Sequence, residues 1–174
     1  MNNKTIIFLI AIALIGIGIF TFLQFANNKP ANDLSADTTL PRNGDKTLTI
    51  KVFFNNNELD PEITCNKVFS VERKIPYTKA VAQAALDELL SGPTEEEKND
   101  GYFTSINSGV ILNRVTIEDK IAKADFNEML EYQVGGSCRV SAIRAQIEQT
   151  LIQFPSVNEV VISINGETEA TLQP

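Results

Sequence analysis

The clearest pattern of apolar and polar positions lies in residues 78–91, where apolar side chains recur at helical spacing. The stripe comprises Val81, Ala82, Ala85, Leu86 and Leu89. Gly92 and Pro93 follow, and this pair favours a helix end because glycine adopts a left-handed conformation and proline cannot continue a helix. Thr78 is placed to accept a hydrogen bond from the first turn. We therefore predict a helix over 78–91, with the domain folded around it.

The other periodic segments predict a second long helix and five strands. A second helical stripe marks residues 138–153, and its apolar positions are Val140, Ile143, Ile147, Leu151 and Phe154. Alternation of apolar and polar residues predicts strands at 47–54, about 65–73, 110–117, 121–126 and 157–164. The order β-β-α-β-β-α-β is typical of an α+β two-layer sandwich, with about five strands in one sheet and two helices on one face.

An uncharged apolar run occupies residues 5–23. As a helix it would be about 28 Å long, close to the roughly 30 Å thickness of the hydrocarbon core of a bilayer. The alternative is a cleaved signal peptide, although cleavage after Ala26 would place Gln24 where a small residue is usual. We predict that residues 1–26 form an uncleaved transmembrane anchor. Lys4, which precedes the run, favours an N-terminus inside the bacterial cytoplasmic membrane and a C-terminal domain outside it.

The polar segment 27–46 is rich in turn-forming residues and shows little periodicity. We predict a flexible linker here, with an end-to-end distance on the order of 25 Å. The periodic pattern begins at Thr47, so residues 47–174 are predicted to form the extracytoplasmic domain.

The composition of the chain limits the chemistry that it can perform. The 174 residues carry a formal net charge of −7 and include no histidine. Nucleic acid is not a predicted partner, because an acidic chain without a basic stripe cannot neutralise phosphates. The missing histidine excludes Ser–His and Cys–His nucleophile pairs and the usual zinc sites. We predict no catalytic residue, no metal ion and no cofactor.

Cys65 and Cys138 are the only cysteines in the chain. Outside the cytoplasm an even number of cysteines favours a disulfide, and closing a loop of this length stabilises a fold by about 4 kcal/mol in the chain-entropy model. The alternative is a reactive thiolate at Cys138, favoured by the predicted helix N-terminus and by the neighbouring Arg139. Because no histidine and no second nearby cysteine assist such a thiolate, the disulfide is the preferred interpretation.

Acidic residues elsewhere offer further candidate sites. Asp60 and Glu62 could bind calcium, but their loop lacks the ligand spacing of an EF-hand, so a solvated turn is favoured. Asp119 and Asp125 could form a hydrolytic carboxylate pair, although they lie near a predicted hairpin with no pocket implied. Glu95–Glu97 could be a partner-binding patch, or simply the solvated first turn of a short helix.

Four short motifs resemble the GerMN domain family, which is associated with sporulation and spore germination. They end the first helix, form the second arm of a hairpin, lie in the second helix and close the last strand. Their residues are Leu89, Leu90, Gly92 and Pro93; Asp125 within Ile121–Phe126; Gln146, Thr150 and Leu151; and Gly166 after the strand that begins at Val157. The resemblance covers about residues 48–166, and it depends on the order in which the four motifs follow one another along the chain.

The resemblance implies a non-catalytic, extracytoplasmic domain that is tethered to the membrane in envelope or sporulation assemblies. Its expected partners are other proteins of the cell envelope or a second copy of the chain, with membrane contact through residues 5–23. The chain departs from the family's founding member in having one domain copy, no lipid-attachment cysteine and two cysteines within the domain. The alternatives are a binder of cell-wall glycan or peptide and an envelope hydrolase that uses Asp or Glu carboxylates.

Overall fold

The computed structural model describes residues 46–168 and 171–172. The predicted membrane anchor, residues 1–26, and all of the predicted linker except Lys46 lie outside the described residues. Within the described ranges, no helix combines the length and the apolar character that crossing a bilayer requires. The described residues belong to the predicted C-terminal domain.

Six strands, three α-helices and one 3-10 helix form the described part of the chain. In order they are β1 (Thr47–Asn56), β2 (Phe69–Pro76), α1 (Val81–Ser91), α2 (Glu95–Asn99), β3 (Tyr102–Phe103), β4 (Leu112–Glu118), β5 (Ile121–Phe126), the 3-10 helix (Glu128–Leu130), α3 (Ser137–Ile152) and β6 (Glu159–Ile164). The strands form two three-stranded sheets, in the orders β2-β1-β3 and β4-β5-β6. Neighbouring strands are antiparallel except β5 and β6, which run parallel because α3 crosses between them.

The mixed α+β class is confirmed, but the prediction of a single five-stranded sheet is wrong. β1 pairs with β2 along most of its length and with β3 only at Asn55 and Asn56. On that edge of β1, Thr150 of α3 and Gln153, directly after α3, bind the backbone of Phe53 and Lys51, and β4, β5 and β6 form a separate sheet. The two long helices, α1 and α3, pack against each other and against strands of both sheets, instead of lying on one face of one sheet.

β2 begins later than predicted, at Phe69 rather than near residue 65. Ile63 and Cys65 have φ angles of 51° and 63°, which are left-handed values that an extended strand does not allow. Residues 57–68 therefore form an irregular connection, called here the β1–β2 loop.

The first helix, α1, begins three residues later than predicted, and Thr78 does not cap it. The Thr78 hydroxyl instead accepts a hydrogen bond of 3.1 Å from the N–H of Ala80, before the helix starts. The helix ends where the sequence indicated. Gly92 adopts a φ of 77°, and its N–H donates to the carbonyl of Leu89 at 3.1 Å. Glycine adopts such an angle without the strain that a Cβ would introduce.

One tight turn sets the register of β4 and β5, and a second tight turn follows β6. Asp119 and Lys120 join β4 to β5, and both have the positive φ angles (51° and 65°) that a type I′ turn requires. Asn165 and Gly166 follow β6 with φ angles of 50° and 87°. The residues that flank this second turn exchange two hydrogen bonds of 2.9 Å. The predicted hairpin and the predicted end of the last strand are both present.

The apolar stripes of the two long helices form the centre of the core. The buried residues of these stripes are Ala82, Ala85, Leu86, Leu89, Val140, Ile143, Ile147 and Leu151. They belong to one continuous cluster that includes Val52 and Phe54 of β1 and Phe126 of β5. Val81 and Phe154, at the edges of the predicted stripes, are only half-buried. A single core therefore lies against strands of both sheets.

An ion pair joins β2 to α2 beside this core. The guanidinium of Arg73 donates to both carboxylate oxygens of Glu97, with an Nη2–Oε2 distance of 2.6 Å. The two side chains are only 13% and 15% exposed, and Glu97 also closes a capping box with Thr94. The hydrogen bond from Arg73 lowers the pKa of Glu97 and outweighs the opposing effect of burial, and the same bond raises the pKa of Arg73.

We predict that Glu97→Gln destabilises the domain by about 1 kcal/mol at pH 7, because it removes one of the two carboxylates that pair with Arg73, the other being Glu88 at 3.5 Å. The folded-state pKa of Glu97 lies below its unfolded value, so its stabilisation is present above about pH 4.3 and is lost as the pH falls through the folded value. The difference between the two proteins should therefore shrink below pH 4. Urea unfolding at several pH values measures it. The matched control is Glu95→Gln on the same helix, where the carboxylate is 88% exposed and the change should be small.

Candidate functional site

A cavity of about 540 Å³ lies between the end of β1, the β1–β2 loop, β3 and the start of α3. We call it the disulfide cavity. Its wall includes Ile63, Cys65, Phe103, Cys138 and Arg139. Its volume lies within the range that ligand sites in proteins occupy, from about 300 to 1,000 Å³. No motif in the sequence indicated a cavity here, because the segments that line it are far apart along the chain.

Cys65 and Cys138 form a disulfide on one wall of the disulfide cavity, with their Cα atoms 4.9 Å apart. The bond joins the β1–β2 loop to the first turn of α3, across 73 positions of sequence. Both sulfurs are bonded, so the alternative of a reactive thiolate at Cys138 does not describe this structure.

The carboxylate of Asp60 holds the β1–β2 loop in shape. Its Oδ2 accepts hydrogen bonds of 2.8 Å from both the N–H and the hydroxyl of Thr64, and Lys67 lies 3.8 Å from its Oδ1. Burial acts to raise the pKa of Asp60, but the bonds from Thr64 and the charge of Lys67 outweigh it, so the pKa is lowered. Within the described ranges, no three His, Cys, Asp or Glu side chains converge as metal ligands. Asp60 therefore stabilises the loop, and the described residues offer no set of ligands around it for the calcium alternative.

The polar floor of the disulfide cavity is a hydrogen-bonded network between β1, the segment after β3, and α3. Gln146 is fully buried and donates from Nε2 to Oδ1 of Asn55 at 2.6 Å. Its Oε1 accepts from the hydroxyl of Thr104 at 2.9 Å, and the hydroxyl of Ser105 donates to Asn55 at 3.1 Å. The amide nitrogen of Asn55 donates to two carbonyl groups of the β1–β2 loop. These side chains satisfy one another, and the network positions the loop.

Thr150 of α3 and Gln153, the residue directly after α3, bind the edge of β1 beyond its short pairing with β3. The hydroxyl of Thr150 accepts from the N–H of Phe53 at 3.2 Å. Gln153 accepts from the N–H of Lys51 at 2.8 Å and donates to its carbonyl at 2.6 Å. Gln146 and Thr150, two residues of the family motif, thus lie on the same side of α3 and both contact β1. Side chains that cover a strand edge prevent it from pairing with another chain.

We predict that Thr150→Val destabilises the domain by about 1–2 kcal/mol without changing its fold. Valine matches the shape of the fully buried threonine but leaves the part-buried N–H of Phe53 without its acceptor. Chemical denaturation of the purified protein measures the loss. An unchanged midpoint of unfolding would show that the backbone of β1 does not need this bond.

Arg139 lies at the rim of the disulfide cavity, one residue after Cys138. Its Nη2 donates to Oδ1 of Asn107 at 2.6 Å, and its Nε donates to the carbonyl of Ser105 at 3.3 Å. Asn107 in turn donates to two carbonyl groups near the 3-10 helix. Both acceptors of Arg139 are neutral, and no carboxylate pairs with it among residues 46–168. The sequence drew attention to Arg139 only as a neighbour of a cysteine.

The family-motif residues Asp125 and Gly166 are in contact at the end of the second sheet that lies away from the β4–β5 turn. Oδ1 of Asp125 accepts from the hydroxyl of Ser163 at 2.6 Å and from the N–H of Gly166 at 2.7 Å. Its Oδ2 accepts from Asn113 at 3.0 Å. Burial acts to raise the pKa of Asp125, but these hydrogen bonds and the charge of Arg114 lower it overall.

The proposed carboxylate pair is not assembled in this structure. Asp119 lies in the β4–β5 turn, whereas Asp125 lies near the far end of β5. The extended chain from Ile121 to Asp125 alone spans about 13 Å, which exceeds the spacing of hydrolytic carboxylate pairs. Asp125 holds the turn after β6 instead of facing a second carboxylate.

We predict that Asp125→Asn lowers the free energy of unfolding by about 1–2 kcal/mol, because an amide cannot accept all three hydrogen bonds that the carboxylate accepts. The matched control is Asp119→Asn, since asparagine also tolerates the positive φ at this exposed turn position. That control should change stability by less than about 0.5 kcal/mol. Thermal unfolding of both variants compares them. Equal decreases in the free energy of unfolding for the two variants would show that the hydrogen bonds of Asp125 do not stabilise the domain.

The remaining candidate residues do not form a site together. Glu97 binds Arg73, and Glu95 pairs with Lys98 at 2.6 Å, so the acidic run caps and stabilises α2. A sugar-binding groove would need clustered aromatic side chains. None of the three tyrosines contributes to the disulfide cavity, whose one aromatic residue is Phe103.

Residues 51–170 match the family model Germane, described as "Sporulation and spore germination". No curated protein sequence matches the chain. Two solved structures from Bacillus subtilis resemble the fold. The tandem GerMN domains of the sporulation protein GerM align with 22% identity and a TM-score of 0.50, over 70% of this chain and 40% of that chain. The first GerMN domain of GerM aligns with 21% identity and a TM-score of 0.52, over 70% of this chain and 85% of that chain.

The structural similarity shows the fold, and the sequence match shows the family. This chain spans less than half the length of the tandem-domain structure. The family model, in contrast, covers well over half of this chain and contains every residue of the disulfide cavity. The chain belongs to the GerMN family of sporulation and spore-germination domains.

Proposed function

We propose that this chain is a non-catalytic domain, held outside the cytoplasmic membrane by its N-terminal segment, which binds another envelope protein or a second copy of itself. The observation that carries the proposal is the disulfide between Cys65 and Cys138. Structural disulfides persist in oxidising compartments and are rare in the cytosol. The bond closes a long loop of the domain, so a folded and oxidised domain outside the membrane is the consistent state.

A contact role is supported by what the disulfide cavity displays. Ile63 is 66% exposed and Phe103 is 37% exposed, and both contribute to the cavity. Exposed apolar side chains at a concave surface mark interaction sites more often than isolated ones elsewhere. The candidate carboxylates support catalysis less well, because Asp119 and Asp125 lie far apart and Asp125 is engaged in three hydrogen bonds.

The proposed membrane anchoring rests on the sequence alone. Residues 5–23 have the length and apolar character of a membrane span. A linker of about twenty residues would then let the domain move on the order of 25 Å from the bilayer surface. Such a tether keeps the domain close to other membrane-bound proteins.

The compartment is tested with the full-length chain expressed in a bacterium. Membranes are treated with a thiol-alkylating reagent before and after reduction, and intact spheroplasts are exposed to an external protease. We expect both cysteines to react only after reduction, and the domain to be digested in the spheroplasts. Alkylation without reduction, or a full-length chain free in the cytosol, would contradict the proposal.

The contact role is tested with a photo-crosslinking amino acid placed at Phe103 in the membrane-bound chain. The matched control places it at Glu118, an exposed residue at the end of β4 that does not line the disulfide cavity. We expect a discrete adduct from position 103 and none from position 118, with mass spectrometry showing whether the adduct is a second copy. Retention of the domain on purified cell-wall glycan would favour the alternative role of a cell-wall binder.

A further inference from the structure

We propose that the disulfide cavity binds a short extended peptide segment of a partner protein, in which an acidic residue stands beside a large apolar residue. This inference deepens the proposed function and rests on it, because it names the chemistry of the partner for the same surface. It assigns the apolar contact to Ile63 and Phe103 and the acidic contact to Arg139.

Apolar side chains are exposed at the disulfide cavity. Ile63 and Phe103 come from two different segments, and both are exposed where they line the disulfide cavity. Ile106 and Ala142, which also line it, are only 7% and 5% exposed. A large apolar side chain of a partner would therefore contact exposed apolar groups at the rim and buried ones deeper in. Transfer of such a side chain from water to an apolar surface favours binding.

The backbone at Ile63 provides a second observation. Its φ of 51° is a genuine outlier for a β-branched residue, and strained residues of this kind cluster at binding sites. The strain is maintained by the hydrogen bonds between Asp60 and Thr64 and by the disulfide at Cys65. Exposing two-thirds of an apolar side chain to water does not stabilise the strained loop. In this conformation, however, the side chain of Ile63 is available to contact a bound apolar group.

Charge complementarity selects the acidic residue of the partner. Two charged side chains line the disulfide cavity, Asp60 and Arg139. Asp60 is engaged by Thr64 and Lys67, whereas Arg139 contacts only neutral oxygens. The Nη1 group of Arg139 has no partner in the described part of the chain and carries two N–H donors. The guanidinium of Arg139 is therefore the group of this surface that would attract a carboxylate.

The side chains of the polar floor are already hydrogen-bonded, which leaves the preference for an acidic residue to Arg139. The side chains of Asn55, Thr104 and Gln146 already bond to one another. A partner that displaced these bonds would leave buried polar groups unpaired, which is costly. The guanidinium is therefore the charged group that offers the partner a polar contact.

The test uses the full-length chain in phospholipid nanodiscs and a set of fluorescent octapeptides. Each peptide has a central Leu or Phe flanked by Asp, Asn or Lys, and fluorescence anisotropy measures binding. We expect the Asp peptides to bind roughly tenfold more tightly than the Asn peptides, since a charge-assisted hydrogen bond is about twice as strong as a neutral one. The Lys peptides should bind most weakly.

The variants identify the surface. Arg139→Gln should bind the Asp and Asn peptides equally, whereas Arg139→Lys should keep a preference for Asp. Phe103→Ser should weaken all peptides while keeping the ratio between Asp and Asn. The matched control is Lys74→Gln, which removes an exposed charge from β2, outside the disulfide cavity, and should change nothing. Circular dichroism of each variant confirms that it is folded.

Three outcomes would overturn the inference. One is an unchanged preference for Asp in Arg139→Gln, and a second is no binding of any peptide at millimolar concentration. The third is a change from dimer to monomer in Phe103→Ser by analytical ultracentrifugation, which would show that a second copy occupies the cavity. None of these outcomes alters the alkylation and protease results, so failure here is distinguishable from failure of the proposed compartment.

Discussion

Replacing both Cys65 and Cys138 with serine is expected to lower the free energy of unfolding by about 4 kcal/mol. The disulfide closes a loop of 73 positions, and removing it restores the conformational freedom of that loop in the unfolded chain. Cys138 is exposed and Cys65 is half-buried, so the serine hydroxyls remain close to water and the loss reports the cross-link itself. Thermal unfolding should show a decrease in Tm on the order of 10 °C or more.

A reductant provides the matched control for this prediction. It should lower the Tm of the unmodified protein towards that of the double-serine variant, and it should leave the variant itself unchanged. A variant within 1 kcal/mol of the parent would mean that the unfolded chain retains enough structure to make the bond unnecessary.

Leu86→Ala should destabilise the domain by about 3 kcal/mol, within the range of 2–5 kcal/mol for truncating buried leucines. Leu86 is fully buried in α1, and α1 contacts β1, β4 and α3. The cavity left by the truncation would lie between the two sheets, where the strands on both sides are fixed by hydrogen bonds and cannot close the space.

The matched control is Leu90→Ala, which truncates a half-buried leucine on the same helix. It should cost less, about 1 kcal/mol, because less area returns to water. Urea unfolding measures both variants, with the slope of the transition unchanged. Equal losses at the two positions would contradict the burial pattern that places Leu86 at the centre of the core.

Local features of the chain were predictable because they depend on neighbouring residues. The stripe from Ala82 to Leu89 predicted the buried face of α1, and Gly92 with Pro93 predicted its end. The turns at Asp119 and Gly166 were also placed correctly. In each case a short segment contains the whole physical cause: a period, a left-handed glycine or a turn that polar residues tolerate.

The start of α1 and the start of β2 were not predictable in the same way. Thr78 has the chemistry of a cap, but its hydroxyl bonds to the N–H of Ala80 outside the helix. The segment before Phe69 looked like a strand, whereas left-handed angles at Ile63 and Cys65 interrupt it. Those angles are held by contacts to Asp60 and to α3, which lie outside any local window.

The sequence predicted the disulfide between Cys65 and Cys138 but not the cavity beside it. Ile63 and Phe103 looked like ordinary apolar residues, and Arg139 looked like a neighbour of a possible thiolate. Their proximity depends on β1 and α3, which contribute residues more than eighty positions apart to one floor. No period or short motif records such a distance, so the sequence contained no signal for the site.

The sequence by itself determined the family, the helical and extended segments, the acidic character of the chain and the absence of histidine chemistry. Those properties follow from residue type and short-range order, which a linear pattern preserves. Only the tertiary structure decided that the strands divide into two sheets, because Thr150 of α3 and Gln153 directly after it bind the edge of β1 that a further strand would need. It also decided that Asp125 supports a turn and that a cavity lies beside Cys65, since both depend on groups brought together only when the core forms.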